Sequence, residues 1–159
     1  MLLVSIHQVF RASLVVAILA TPACDSETTR RQQEELRDEL ATFQAPDHMT
    51  LVHEEESGIS LCIGGDCPSA IRYFTSERSV EVSCRDVRDA IDRWGVQQVE
   101  WRHEGEPGEC TAYGSDGDRY LSVAVFAAER LPPSVVSEID GSQLRRARSA
   151  VLLDLGIES

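Results

Sequence analysis

Four cysteines constrain this chain more than any other feature. Cys62, Cys67, Cys84 and Cys110 lie between residues 62 and 110. An even number of thiols in an exported domain reads as a disulfide framework, with three possible connectivities. Cys62-Ile-Gly-Gly-Asp-Cys67 closes locally across a glycine pair, which leaves Cys84 to pair with Cys110. By loop entropy the short bridge contributes about 2 kcal/mol and the long one about 3.5 kcal/mol. The alternative, four thiolates on a zinc ion, lacks the C-x-x-C knuckles such sites use. A dithiol redox site prefers the same missing motif.

Cys84 also lies in the clearest helical pattern. Val87, Ala90, Ile91 and Trp94 recur at i, i+3, i+4 and i+7, the spacing of a buried stripe, and Cys84 shares their face. Arg85, Asp86, Arg88, Asp89, Asp92 and Arg93 cover the outer face. Ser83 is read as the N-cap, with Asp86 completing a capping box, and Gly95 as the stop. At this spacing Trp94 reads as core rather than as a ligand platform.

The fifth cysteine, Cys24, stands apart. An apolar run from Ala12 to Ala20 follows Arg11 and leads into Thr21-Pro22-Ala23-Cys24. The run suits a secretory signal and is too short to span a bilayer, which takes about 20 apolar residues. The stretch resembles the lipobox of bacterial lipoproteins, in which a small residue precedes the cysteine that is lipidated. That resemblance implies cleavage after residue 23, a fatty-acylated (palmitate-labelled) Cys24 and a membrane anchor on the extracytoplasmic face. Each buried methylene of such an anchor contributes about 0.8 kcal/mol. The implied organisation is a signal peptide (1–23), a lipid-anchored tether with a short helix (24–45) and one globular domain (46–159).

Charge narrows the partners. The chain carries 27 acidic and 15 basic side chains, net −12. Removal of residues 1–23 takes away only Arg11. That balance opposes nucleic acid, whose phosphates demand clustered positive charge. It favours solubility, cation association or a basic partner. Every basic residue is arginine, a bias that fits a GC-rich bacterial source.

Around the central helix the pattern alternates between strand and turn. Arg30–Phe43 is rich in helix formers, with Leu36, Leu40 and Phe43 as a narrow stripe for packing on the domain. Met49–His53 reads as a strand, and Glu54-Glu55-Glu56-Ser57-Gly58 as a turn. Ile59–Ile63 and Ala70–Thr75 read as further strands. Here Cys67-Pro68 followed by Arg72-Tyr73 resembles small exported lipoproteins. Val96–His103 and Cys110–Tyr113 are strands, Gly114–Asp118 a turn with an Asp-Gly hairpin signal, and Tyr120–Ala128 the central strand. Leu131-Pro132-Pro133 breaks the chain before one or two helical turns over Ser134–Ile139. A final helix, Gln143–Leu155, is expected to be capped by Ser142, to carry Arg145, Arg146 and Arg148, and to stop at Gly156. The fold class is therefore α+β: an antiparallel sheet of about five strands with helices on one face, stapled by two disulfides.

Catalytic motifs are absent from the linear sequence: no G-x-S-x-G, H-E-x-x-H, P-loop or dinucleotide fingerprint. His48, His53 and His103, with Glu54 to Glu56, form a metal site only if the fold gathers them. A Ser-His-Asp triad is recognised by geometry, so motif absence does not exclude one, but two of the three histidines lie in one short stretch, Asp47 to His53, which leaves few candidates. The expectation is a non-enzymatic, membrane-tethered binding or interaction module for an envelope protein or small molecule, with no cofactor, metal or catalytic residue assigned. The alternatives are an envelope hydrolase using His and carboxylate residues, and a purely structural envelope component. The residues singled out are Cys24 for lipidation and Cys62, Cys67, Cys84 and Cys110 for disulfides.

Overall fold

A computed structural model describes residues 26–57, 67–96, 98–102 and 108–158. The described chain runs α1 (Ser26–Ala41), β1 (Met49–Ser57), β2 (Ser69–Ser76), α2 (Val80–Trp94), β3 (Glu100–Arg102), β4 (Cys110–Asp116), β5 (Arg119–Ala127), α3 (Pro133–Val136), α4 (Gly141–Arg146) and β6 (Ser149–Ile157). The fold is α+β, as expected, and the strands form one antiparallel sheet in the order β1-β2-β6-β5-β4-β3. Among the described residues it has six strands where about five are expected, because the last helix of the sequence reading is largely a strand.

That correction has a simple cause. Gln143–Leu155 fits a helical stripe, but Ser149–Ile157 is also a nearly continuous apolar run. A short apolar run has no period that separates a helix from a strand buried on both faces. The chain makes α4 for six residues and then β6, which lies between β2 and β5 and is mostly buried. Asp140, not Ser142, caps α4, accepting from the backbone N–H of Ser142 at 2.8 Å and of Gln143 at 3.4 Å. Gly156 does not end a helix. It sits opposite Tyr120 in the β5–β6 ladder, where a Cβ would occupy the space of the Tyr120 ring.

Other boundaries shift for local reasons. Glu54 to Ser57 continue β1 rather than turning, because Glu54 lies opposite Arg72 and pairs with it at 2.5 Å, while Arg37 of α1 reaches Glu56 at 3.2 Å. β4 runs on through Asp116, and Gly117-Asp118 make the turn into β5, with Gly117 in the left-handed region. Regular pairing in the 96–103 region covers only Glu100–Arg102. The expected strand Ile59–Ile63 lies outside the described residues.

α2 starts one turn earlier than expected. Ser79 caps it, accepting from the Val82 N–H, and Ser83 is instead buried, 2.7 Å from the Ser149 hydroxyl of β6. The expected stop holds: Gly95 is left-handed and its N–H donates to the Ile91 carbonyl at 3.2 Å. Val87 and Ile91 are fully buried. Trp94 packs edge-on against Phe43, with ring centres 5.5 Å apart, and donates its indole N–H to Thr42 at 2.8 Å. It is a strut between α1 and α2, in keeping with the core reading.

The helices occupy both faces of the sheet, not one. α1 and α2 cover the first face, where Leu36, Leu40, Val87 and Ile91 meet Phe74, Leu121, Val123, Val151 and Leu153. α3 and the residues around it cover part of the second, where Leu131, Val135 and Ile139 meet Tyr73 and Ala150. The alternation of Val151 and Leu153 with Ala150 and Leu152 along β6 supplies both cores from one strand. One disulfide is present among the described residues: Cys84 in the first turns of α2 is joined to Cys110 at the start of β4, with Cα atoms 6.1 Å apart. Cys62, the other half of the expected local bridge, lies outside the described residues, as does Cys24. No described helix is long and apolar enough to cross a membrane.

Candidate functional site

Two cavities adjoin the segment that leads from the end of β2 into α2. The larger, about 840 Å³, is a cleft between α2 and the β3 edge of the sheet. That volume is in the range of small-molecule sites, roughly 300–1,000 Å³. Glu81, Arg85 and Arg88 reach it from one face of α2, Trp101 from β3, and Arg148 from the turn before β6. The disulfide anchors the wall between them, since Cys84 also lines the cleft.

Its electrostatics run against those of the chain. Three arginines face one glutamate in a molecule of net charge −12. Arg85 is engaged by Asp86 at 3.0 Å. Among the described residues neither Arg88 nor Arg148 makes an ion pair. Arg88 instead places its guanidinium carbon 5.2 Å from the centre of the Trp101 ring, a cation–π contact. The Trp101 indole nitrogen is buried and has no hydrogen-bond partner among the described residues. A buried donor left unpaired costs about 1–3 kcal/mol. The backbone N–H groups at the start of α2 add the positive end of a helix dipole. Flat aromatic surface and guanidinium charge together favour a ligand with an anionic group and a planar or apolar body.

The second cavity, about 630 Å³, is lined among others by His48, Ser76, Arg78, Gln143 and Arg146. His48 stands 2.9 Å from Asp86 through Nε2 and 3.2 Å from the Ser76 hydroxyl through Nδ1. The hydrogen bond from His48 holds the Asp86 carboxyl below its ordinary range, against the upward pull of burial.

The fold separates the histidines considered as metal ligands. His48 joins Ser76 and Asp86. His53 lies five residues along β1 between Glu138 at 2.6 Å and Glu55 at 3.3 Å. Burial pulls the His53 pKa down, but the hydrogen bonds and charges of Glu138 and Glu55 outweigh it, so the net shift is upward. His103 lies outside the described residues. Among the described residues no group of three or more His, Cys, Asp or Glu side chains is placed to hold a metal ion.

Sequence reasoning missed the residues that matter in both cavities. Trp101 read as one more alternating strand residue, Arg148 as part of a helical basic cluster, and Asp86 as a capping partner. Ser76 carried no signal. Each comes from a different element, so no spacing in the sequence marks the group. The chain matches no protein-family model, no curated protein and no solved structure.

Proposed function

We propose that the protein is an exported lipoprotein, tethered to the membrane through Cys24, whose globular domain binds an anionic envelope ligand in the cleft between α2 and β3. The observation that carries the reading is the pair Arg88 and Arg148, which line the cleft beside the Trp101 ring and make no ion pair among the described residues. The anchor rests on the lipobox resemblance at Thr21-Pro22-Ala23-Cys24, and the Cys62–Cys67 bridge on their spacing. Neither nucleic acid nor a cofactor belongs to this reading.

Calorimetric titration with a matched pair of probes, a naphthalene sulfonate and the neutral naphthalene sulfonamide, tests the cleft. A hydrogen bond to a charged group contributes about 1.5–3 kcal/mol, so the sulfonate is expected to bind at least about tenfold more tightly. Arg88→Ala with Arg148→Ala should abolish that preference. Equal affinity for the two probes contradicts the reading. For the anchor, metabolic palmitate labelling should mark the wild type and vanish in Cys24→Ala. For the local bridge, non-reducing peptide mapping should recover Cys62 joined to Cys67, and two free thiols there would exclude it.

A further inference from the structure

We propose that Ser76 is a nucleophile activated by His48 and Asp86, and that the second cavity admits a small carboxylic ester. Three elements bring the groups together: His48 precedes β1, Ser76 ends β2 and Asp86 lies in α2. The two hydrogen bonds run in series, Asp86 to His48 Nε2 at 2.9 Å and Ser76 to His48 Nδ1 at 3.2 Å. Both distances fall within the reach expected of a nucleophile, its base and the group that orients the base. With the carboxylate on Nε2, the imidazole carries its proton there and offers its lone pair at Nδ1 to the serine hydroxyl. The ring nitrogens are exchanged relative to the familiar protease arrangement, and the proton logic is the same.

Two further features suit the chemistry. The backbone N–H of Arg78 donates to the Ser76 hydroxyl oxygen at 3.0 Å, which stabilises negative charge there as the proton leaves. The Arg78 side chain lines the same cavity and makes no ion pair among the described residues. It offers positive charge to the oxyanion that forms on the substrate. Arg146, also at this cavity, is held by Glu77 at 3.2 Å.

The step balances within these groups and water. The Ser76 oxygen bonds to the acyl carbon while its proton passes to His48 Nδ1, and the carbonyl π pair moves onto the substrate oxygen. That pair returns as the ester C–O bond breaks, and the leaving alkoxide takes the proton from Nδ1. Water then adds to the acyl-serine, gives a proton to Nδ1, and the serine oxygen departs with it. An ester and water become an acid and an alcohol. This proposal is independent of the anionic cleft, which shares no lining residue with the second cavity.

The test is a fluorophosphonate probe applied to the full mature chain, with peptide mapping of the adduct. The expected result is a single adduct at Ser76. Because the Ser76 hydroxyl also supports the turn at Arg78, Ser76→Ala is paired with Asp86→Asn, whose side chain is partly exposed. Asp86→Asn should label at least tenfold more slowly while its circular dichroism at the assay temperature stays that of the folded wild type, a combination a purely structural role would not produce. The folded wild type giving no adduct at Ser76, or Asp86→Asn labelling at the wild-type rate, would overturn the proposal.

Discussion

The two faces of the sheet are built differently. The first is sealed: α1 and α2 lie over an aliphatic core that contains Leu36, Leu40, Ile91, Val123 and Leu153, all at 1% exposure or less. The second is covered only in part by the short helices. Next to its smaller core stand Tyr120, Asp154 and the half-exposed Tyr113, whose ring stacks on Tyr120 at 6.2 Å. Burial pushes the Asp154 carboxyl above its ordinary range, although Ser69 and Tyr120 hydrogen-bond to it. Burial, with the Asp154 charge behind it, pushes Tyr120 up to about 12. Such polar groups contribute little net stability, since their desolvation offsets their hydrogen bonds. The difference teaches that the first face holds the fold and the second tolerates polar detail.

The largest expected effect tests that division directly. Leu153→Ala empties a site between α2 and the sheet and should cost about 4 kcal/mol in urea unfolding, near the upper part of the range for buried leucines. Removing the disulfide with Cys84→Ser and Cys110→Ser should cost about 3.5 kcal/mol, from the entropy of its loop. Leu131→Ala, in the second core, should cost only about 2 kcal/mol because its surroundings can close over the gap. If Leu131→Ala proves as damaging as Leu153→Ala, the two faces are not unequal.

The smallest effect is a dependence on pH. His53 on β1 is joined to Glu138, which follows α3, and its folded pKa lies above the ordinary 6.5. A raised histidine pKa stabilises the fold fully below about pH 6.5, and the contribution is lost as pH rises through the folded value. His53→Gln should therefore lower stability at pH 5.5, by no more than about 1 kcal/mol because Glu138 is largely exposed, and leave it unchanged at pH 8.5. An equal loss at both values would show that the imidazole acts only by packing.

The sealed face is also the part that was legible in the sequence. Leu36, Leu40 and Phe43, and the Val87–Trp94 stripe with Cys84, gave their buried sides through helical spacing. Cys84–Cys110 was expected from that helix and from the short spacing of Cys62 and Cys67. The second face was not legible. Its smaller core is fed by alternate residues of β6, a run that reads equally as helix, and its helices are too short for a period to show. The cavities were illegible for another reason: Trp101, Arg88 and Arg148, like His48, Ser76 and Asp86, are scattered in sequence and meet only once the sheet is paired.

The cleft beside α2 is the central functional claim, and the Trp101 indole N–H reports on it most directly. In a nitrogen–proton correlation spectrum the two tryptophans give two indole signals, and Trp101→Phe assigns them. Titration with the naphthalene sulfonate should move the Trp101 signal saturably and leave that of Trp94 in place, with the shift lost when Arg88 and Arg148 are both alanine. A Trp101 signal that stays fixed, or that moves as far with the neutral sulfonamide, would contradict an anion-binding cleft at this site.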